Sequence, residues 1–295
     1  RFGLQEFPLD RSGTLYDPSN TSNNLLGSSG HSYSTDFRTS TNINIIQSVN
    51  TSLEYKYAQS LSASSTSYTT ENKSFSYYAL GNRGDKGFPI ANWSINWTKI
   101  EKMWILDKLF KSVSLNHGFN GEQSMSYSNS ELQDKEFSLR YSPLIGINTR
   151  TKGHNPFTIN AHYNLSQTIK NIDKSTERNY NKDMNVTISY KKSGGLKINT
   201  FFFRDFYIPN DMDFSLNLNY DTDKKLMTST VVDDIADFNE QSNNTSWSVK
   251  PNVSYNFTRW VSGNFYFVYG ISENKTTGKK EEKDFGFNVN IKIQG

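Results

Sequence analysis

Along the last stretch of the chain, Phe285, Phe287, Val289, Ile291 and Ile293 occupy the odd positions, while Gly286, Asn288, Asn290 and Lys292 occupy the even ones. A period of two places successive side chains on opposite faces of a strand, so this run predicts one apolar and one wet face. The same alternation stands in Phe157, Ile159, Ala161, Tyr163 and Leu165, in Phe214, Leu216, Leu218 and Tyr220, and in Val261 to Tyr269 through Phe265 and Phe267. It recurs around residues 35–46, 49–64, 66–80, 92–98, 112–128, 133–152, 156–170, 180–192, 211–224, 244–257, 260–274 and 282–294. That pattern predicts about twelve strands.

Strand length distinguishes a membrane wall from a soluble sandwich. Soluble strands run about five or six residues, whereas tilted membrane-spanning strands need roughly nine to eleven. Phe137, Leu139, Tyr141, Ile145 and Ile147 hold the odd positions of an eleven-residue run that also contains Pro143. Length therefore favours the membrane. Proline removes a ladder donor and belongs at edges or bulges, so Pro143 and Pro251 each predict a local irregularity.

Composition first argues against a membrane, with only 34% hydrophobic residues and a mean hydropathy of −0.70. No stretch approaches the roughly 18 apolar residues of a spanning helix. A barrel strand alternates lipid-facing and water-facing residues, so its mean hydropathy stays low while one face is wholly apolar. Aromatic residues make up 14% of the chain, and Trp93, Trp97, Trp247 and Trp260 fall near the ends of runs, where interfacial belts are expected. The resulting expectation is an all-β fold, an antiparallel transmembrane β-barrel. Residues 1–32 read as a loop or the remnant of a preceding strand, and 33–295 as barrel wall.

On this reading the lipid-facing set is Phe137, Leu139, Tyr141, Ile145, Ile147, Phe157, Ile159, Tyr163, Leu165, Phe214, Leu216, Leu218, Tyr220, Phe265, Phe267, Tyr269, Phe285, Phe287, Val289, Ile291 and Ile293. The lumen-facing set comprises Asn160, His162, Asn164, Asn217, Asn219, Asn288, Asn290 and Lys292. Outer-membrane barrels have short periplasmic turns and long extracellular loops. Thr258 to Trp260 is a short link, while 271–284, 221–244 and 167–179 read as long polar ones. This alternation predicts an outer-membrane protein with its C-terminus on the periplasmic side. The link from Lys191 to Pro209 breaks the rule: it is long and contains Phe201 to Phe206. Either the flanking strands extend into it, or an apolar segment packs inside or beside the barrel.

Zero cysteines exclude disulfides and thiolate chemistry. The net charge of +3 is small and its charges are interspersed, so nothing argues for nucleic acid. His31, His117, His154 and His162 are scattered without metal-ligand spacing. His117 lies near Ser114 without an evident third group to orient it, and Asp233-Asp234 reads as solvated. Gly81 to Gly84 and Ser193 to Gly195 suit turns and lack phosphate-loop spacing. No enzymatic activity, metal or cofactor is expected. The segment from Glu101 to Lys111 places Leu106, Leu109 and Phe110 at helical spacing and predicts a short amphipathic turn at the membrane surface. The start at Arg1, without a signal-peptide pattern, reads as that of a processed or truncated piece.

Phe88 to Trp97, Leu109 to Phe119 and Leu139 to Ile147, with Asn210 to Asn219 and the closing Phe285 to Phe287 run, resemble in order and spacing the C-terminal barrel region of the SprA/Sov family. The resemblance covers roughly residues 85–295. That family is the outer-membrane translocon of type 9 secretion, linked to gliding motility. The resemblance implies a sector of a far larger barrel, a wide pore for folded cargo proteins, and partners comprising outer-membrane lipid, secreted cargo, a plug and a lateral-gate protein. A self-contained small barrel, such as a porin or transporter barrel, and a secreted all-β carbohydrate-binding domain are the two rival readings.

Overall fold

The computed structural model describes residues 31–63, 69–79, 87–103, 105–172, 175–198, 206–229, 238–258 and 260–292. Fourteen strands appear among them. They are β1 (His31–Ile46), β2 (Val49–Ala63), β3 (Thr69–Ser76), β4 (Asn92–Trp97), β5 (Phe110–Ser128), β6 (Glu131–Thr151), β7 (Phe157–Ile172), β8 (Ser175–Lys192), β9 (Leu196–Ile198), β10 (Phe206–Ile208), β11 (Met212–Thr228), β12 (Asn239–Asn256), β13 (Val261–Asn274) and β14 (Gly278–Ile291). Twelve form one antiparallel sheet, and β9 and β10 form a separate two-stranded hairpin. The all-β class, in the form of an antiparallel barrel wall of about twelve strands, is thus the observed one.

Strand order follows chain order, as expected of a meander whose neighbours are joined by short connections. β2 and β5 are bridged by β3 at one end and by β4 at the other, so those two short strands share one position across the sheet. Sequence alternation over 66–80 predicted a single longer strand there. In the structure the chain leaves the sheet after Ser76 and rejoins it at Asn92, with a bridge between Tyr78 and Phe88. Gly81 to Gly84 lie outside the described residues.

The long polar links expected at 167–179 and 271–284 are mostly strand. β7 runs to Ile172 and β8 starts at Ser175, while β13 runs to Asn274 and β14 starts at Gly278. In the 221–244 stretch, β11 continues to Thr228 and β12 begins at Asn239. The reason is cross-strand pairing of polar residues, such as Glu273 opposite Lys279, which continues the ladder beyond the apolar part of each strand. Residues 275–277 form the turn between β13 and β14. Asn129 and Ser130 adopt φ of 51° and 67° between β5 and β6, as a two-residue primed turn requires.

Pro143 lies in a bulge, as its chemistry demands. The β6–β7 register steps from Tyr141 opposite Leu165 to Ile145 opposite Tyr163, so two extra residues of β6 are accommodated without changing faces. Pro251 faces Leu216 of β11 and coincides with a gap in the β12–β13 ladder between Val249 and Asn252. At the β8–β11 link neither flanking strand extends. β8 ends at Lys192, β11 starts at Met212, and β9 pairs with β10 between them, with Phe206 opposite Ile198. Phe201 to Phe203 lie outside the described residues. Between β4 and β5 stand a single 3-10 turn, Ile100–Lys102, and one turn of helix, α1 (Leu106–Leu109).

Candidate functional site: a two-faced wall

Because register is conserved from strand to strand, alternation within each strand becomes rows across the sheet. One row reads Phe157, Tyr190, Phe214, Val253, Phe265 and Phe287 across six successive strands. Phe157 stacks on Tyr190 with ring centroids 4.5 Å apart. A second row reads Ile147, Ala161, Val186, Leu218, Val249 and Tyr269. Ile159 and Leu216 lie in the row between them, opposite Ile188. Tyr163 and Tyr220 share a row with Ile145, Met184 and Trp247. All of these stand on one face, and together they make a continuous apolar band.

Much of the band is open to the surroundings. Phe285 is 76%, Phe287 58% and Ile291 66% exposed. Ile145, Phe157, Tyr220, Phe265, Phe267 and Val289 are exposed too. Ile147, Ile159, Tyr163, Leu165, Phe214, Leu216, Leu218 and Tyr269 are half-buried by their neighbours on the same face. Ile293 lies outside the described residues.

Two expected lipid contacts are corrected. Phe137 and Leu139 are only 3% and 6% exposed, and with Tyr77, Ala79, Phe119 and Ile169 they form a buried cluster on the apolar face. Tyr141 packs against it. The cover is the excursion between β3 and β4, whose Tyr77 ring lies 5.2 Å from that of Phe137 while Tyr78 lies 5.4 Å from Phe119. Its backbone is bonded to the sheet where Tyr77 N donates to the Gly121 carbonyl at 2.9 Å, and Tyr77 Oη accepts from Gly87 N at 2.8 Å. A Cβ at position 121 would fall on the Tyr77 carbonyl oxygen, so the close approach requires glycine there.

The opposite face is a ladder of amides and hydroxyls. Asn160 stands beside Thr187, Asn217 and Lys250 in one row, and His162 beside Asn185, Asn219 and Ser248 in the next. Thr187 Oγ1 donates to Asn217 Oδ1 at 2.8 Å, Asn185 donates to Asn219, Asn219 Nδ2 donates to Ser248 Oγ at 3.2 Å, and Asn164 Nδ2 donates to Asp183 at 2.8 Å. Asn288 and Asn290 face Asn264 and Ser262 at the far end, and Lys292 N donates to the Trp260 carbonyl. Asn160, His162, Asn288, Asn290 and Lys292 are exposed, whereas Asn164, Asn217 and Asn219 are half-buried in the ladder.

These four tryptophans occupy three settings. Trp97 ends β4 and Trp260 precedes β13, at the same end of the sheet. Trp247 lies mid-strand, beside Tyr220 and Ile271, where the apolar band gives way to the polar extension. Trp93 belongs to the covered cluster and stacks on Phe119 at 4.2 Å, so its position reflects packing within the wall.

Beyond the band, ion pairs lace the extended hairpins. Lys225 meets Glu177 at 2.7 Å and Lys224 meets Glu240 at 2.8 Å. The Lys225 hydrogen bond, with a second from Asn179, holds the Glu177 carboxyl below the ordinary glutamate range. The Lys224 hydrogen bond does the same for Glu240.

His117, considered above beside Ser114, has its Nδ1 2.7 Å from the Leu144 carbonyl, within the bulge at Pro143. Among the described residues, no three His, Asp or Glu side chains gather as a metal site. No helix among them is long and apolar enough to cross a membrane. Sequence reading missed the cover itself. Two signals pointed to it: β3 and β4 are each too short to span, and adjacent Tyr77-Tyr78 violate the alternation.

No family model matches this chain, and no curated protein matches it either. Among solved structures it is similar to the ferric citrate transporter FecA in its unliganded form, at 10% identity and a TM-score of 0.39 over 90% of this chain and 42% of that one. The outer-membrane protein OmpT of Vibrio cholerae aligns at 8% identity and a TM-score of 0.19, over 88% of this chain and 98% of that one. Wzi of Escherichia coli, described as a carbohydrate-binding β-barrel involved in group 1 capsule assembly, aligns at 8% identity and a TM-score of 0.14, over 90% and 83% of the two chains. The chain thus spans under half the length of FecA. All three scores are low, and the functional reading rests on the rows of residues described above.

Proposed function

We propose that this chain is a sector of an outer-membrane β-barrel wall and, following its resemblance to the SprA/Sov family, part of the wide protein-conducting channel of type 9 secretion. The observation that carries the membrane reading is the pairing of a continuous, exposed apolar band with an opposite face of hydrogen-bonded Asn, Ser and Thr. In water such a band, spread over six strands, would be a severe aggregation liability. In a bilayer it is the outer surface of a wall whose backbone groups are satisfied by neighbouring strands.

The polar face then lines the conduit. Uncharged amides and hydroxyls keep a pore wet and offer no apolar patch to a folded client. The charged hairpin extensions stand on the outer side of the membrane, and the ends carrying Trp97 and Trp260 stand on the periplasmic side, together with the C-terminus. Secreted cargo, a plug and a lateral-gate protein are the partners this reading implies.

The test is native gel analysis of outer-membrane fractions, detected with an antibody to this segment, combined with lipid-phase photolabelling. Labelling at Phe265 and Phe287, with an apparent mass far above 33.8 kDa, supports the translocon sector. A heat-modifiable band near that mass supports a small closed barrel. Recovery in the aqueous phase without detergent overturns the membrane reading.

A further inference from the structure

The apolar band ends in the same way on strand after strand. Followed toward the charged hairpins, the apolar face of β8 runs Tyr190, Ile188, Val186, Met184 and then Lys182. On β14 it runs Val289, Phe287, Phe285 and then Lys283, and on β6 Phe137 is followed by Lys135. β3 passes from Phe75 to Lys73, and β11 from Tyr220 through Thr222 to Lys224. Each of these strands places a lysine one or two same-face positions beyond its last apolar side chain.

The opposite face at this height has other chemistry. Asp183 stands directly across from Asp221, Asp223 follows two residues on, and Glu282 and Asp284 lie on that face of β14. On β8, β11 and β14, cations therefore predominate beyond the band on the apolar face, and carboxylates on the lumen face.

The lysines are held near the rim of the band. Lys224 meets Glu240 at 2.8 Å, and Lys73 meets Glu71 and Lys283 meets Glu281, each at 3.0 Å. Lys135 Nζ lies 4.7 Å from the centroid of the Phe137 ring. Among the described residues, neither Lys135 nor Lys182 has a carboxylate at ion-pair distance. Lys182 stands opposite Thr222, two residues from Lys224. Such diagonal neighbours are about 7–8 Å apart, within reach of one shared anion for side chains of this length.

We propose that, in the barrel-wall reading on which this inference rests, Lys73, Lys135, Lys182, Lys224 and Lys283 form a belt that binds the phosphate groups of outer-leaflet glycolipid. Phosphate is an anion that lysine binds as a point charge. The belt is a line one residue deep that follows the rim of an apolar surface from β3 to β14. That is the outline of a headgroup layer whose acyl chains lie along the band, and a protein partner would call for a broader patch.

The test uses full-length protein extracted from outer membranes in mild detergent and immobilised. It is offered purified lipopolysaccharide, or the same material enzymatically dephosphorylated. Retention of the phosphorylated glycolipid should fall about fivefold for Lys182→Gln and by a further similar factor for Lys135→Gln with Lys182→Gln, while Lys182→Arg keeps it. Two controls should leave retention unchanged: Lys280→Gln on the lumen face, and Lys192→Gln on the apolar face beyond the other end of the band. Equal retention of the dephosphorylated material, full retention by the double variant, or equal losses in the controls would overturn the proposal. Lipid-phase labelling at Phe287 is read on the same membranes before extraction. Its loss would overturn the membrane reading, whereas labelling that persists beside unmoved retention would sink the belt alone.

Discussion

The apolar face of this sheet is built by one code but covered in two ways. Around β13 and β14, Phe265, Phe285 and Phe287 stand open, with no other part of the described chain over them. Around β5 to β7, Phe119, Phe137, Leu139 and Ile169 carry the same alternation yet lie beneath Tyr77, Tyr78 and Ala79. Period-two patterning therefore specifies which face a residue takes and leaves open what meets that face. In one region the apolar side chains stand open to surroundings that the proposed function makes lipid; in the other they meet protein, and protein packing is sensitive to shape in a way that lipid is not.

The largest test of that contrast is Phe137→Ala against Phe285→Ala. Truncating a large aromatic in a packed cluster leaves a cavity and costs about 3–5 kcal/mol. At the open site, lipid chains flow into the vacated space, so a much smaller loss is expected. Denaturant unfolding of the protein folded into vesicles measures both. Equal losses at the two positions would mean that Phe285 is also packed against protein.

Charge sharpens the comparison from the other side. Phe287→Lys places an ammonium on the lipid-facing band and should cost about 2–4 kcal/mol if the site lies at the bilayer midplane, less toward its edges. Asn264→Lys, on the polar face opposite Asn288, should change stability little. The two variants are compared by membrane insertion yield and by unfolding. A tolerated lysine at 287 would remove that position from the membrane surface.

Most of the wall was legible in the sequence because a barrel strand is a local device: face follows from parity, and parity is visible in runs such as Phe214 to Tyr220. Three features were not. The excursion after Ser76 depends on a contact between Tyr77 and Gly121, 44 residues apart, and nothing local announces it. The polar hairpin extensions were read as loops because residues such as Glu273 and Lys279 have no apolar alternation to betray a strand; their ladder follows from the neighbouring register. The shared position of β3 and β4, which turns twelve strands into eleven positions, is a property of pairing and is absent from any one segment. What such a polar face lines is not written in its residues, since Asn, Ser and Thr rows suit many water-filled pores.

A subtler substitution asks how the cover is held. Tyr77→Phe keeps the ring that packs on Phe137 but removes the oxygen that accepts from Gly87 N at 2.8 Å. The expected loss is about 1 kcal/mol, the net value of one such bond. Gly121→Ala obstructs the Tyr77 backbone itself and should release the excursion, with protease cleavage between Tyr77 and Asn92 as the readout. An unchanged cleavage rate would mean that the aromatic contacts alone hold the cover in place.

The smallest expected effect lies outside both regions, in the charged hairpins. Glu177 and Glu240 have folded values below the ordinary one, held there by Lys225 and Lys224. A depressed carboxyl stabilises the folded form above its unfolded value, about 4.3 for glutamate, and that contribution disappears as pH falls through the lowered folded value. Acidification from neutral pH to below about 4 should therefore loosen the β11–β12 extension, while the apolar band, which carries its contacts without ionisation, keeps its protection. Hydrogen exchange corrected for intrinsic rates, compared between Asp221–Thr228 and Phe214–Tyr220, measures the difference. Both pairs are partly exposed, so the shift is modest and salt should reduce it further. Equal loosening of the two halves of β11 would show that the strand opens as one unit, and that the boundary between membrane-height wall and polar extension has no energetic counterpart.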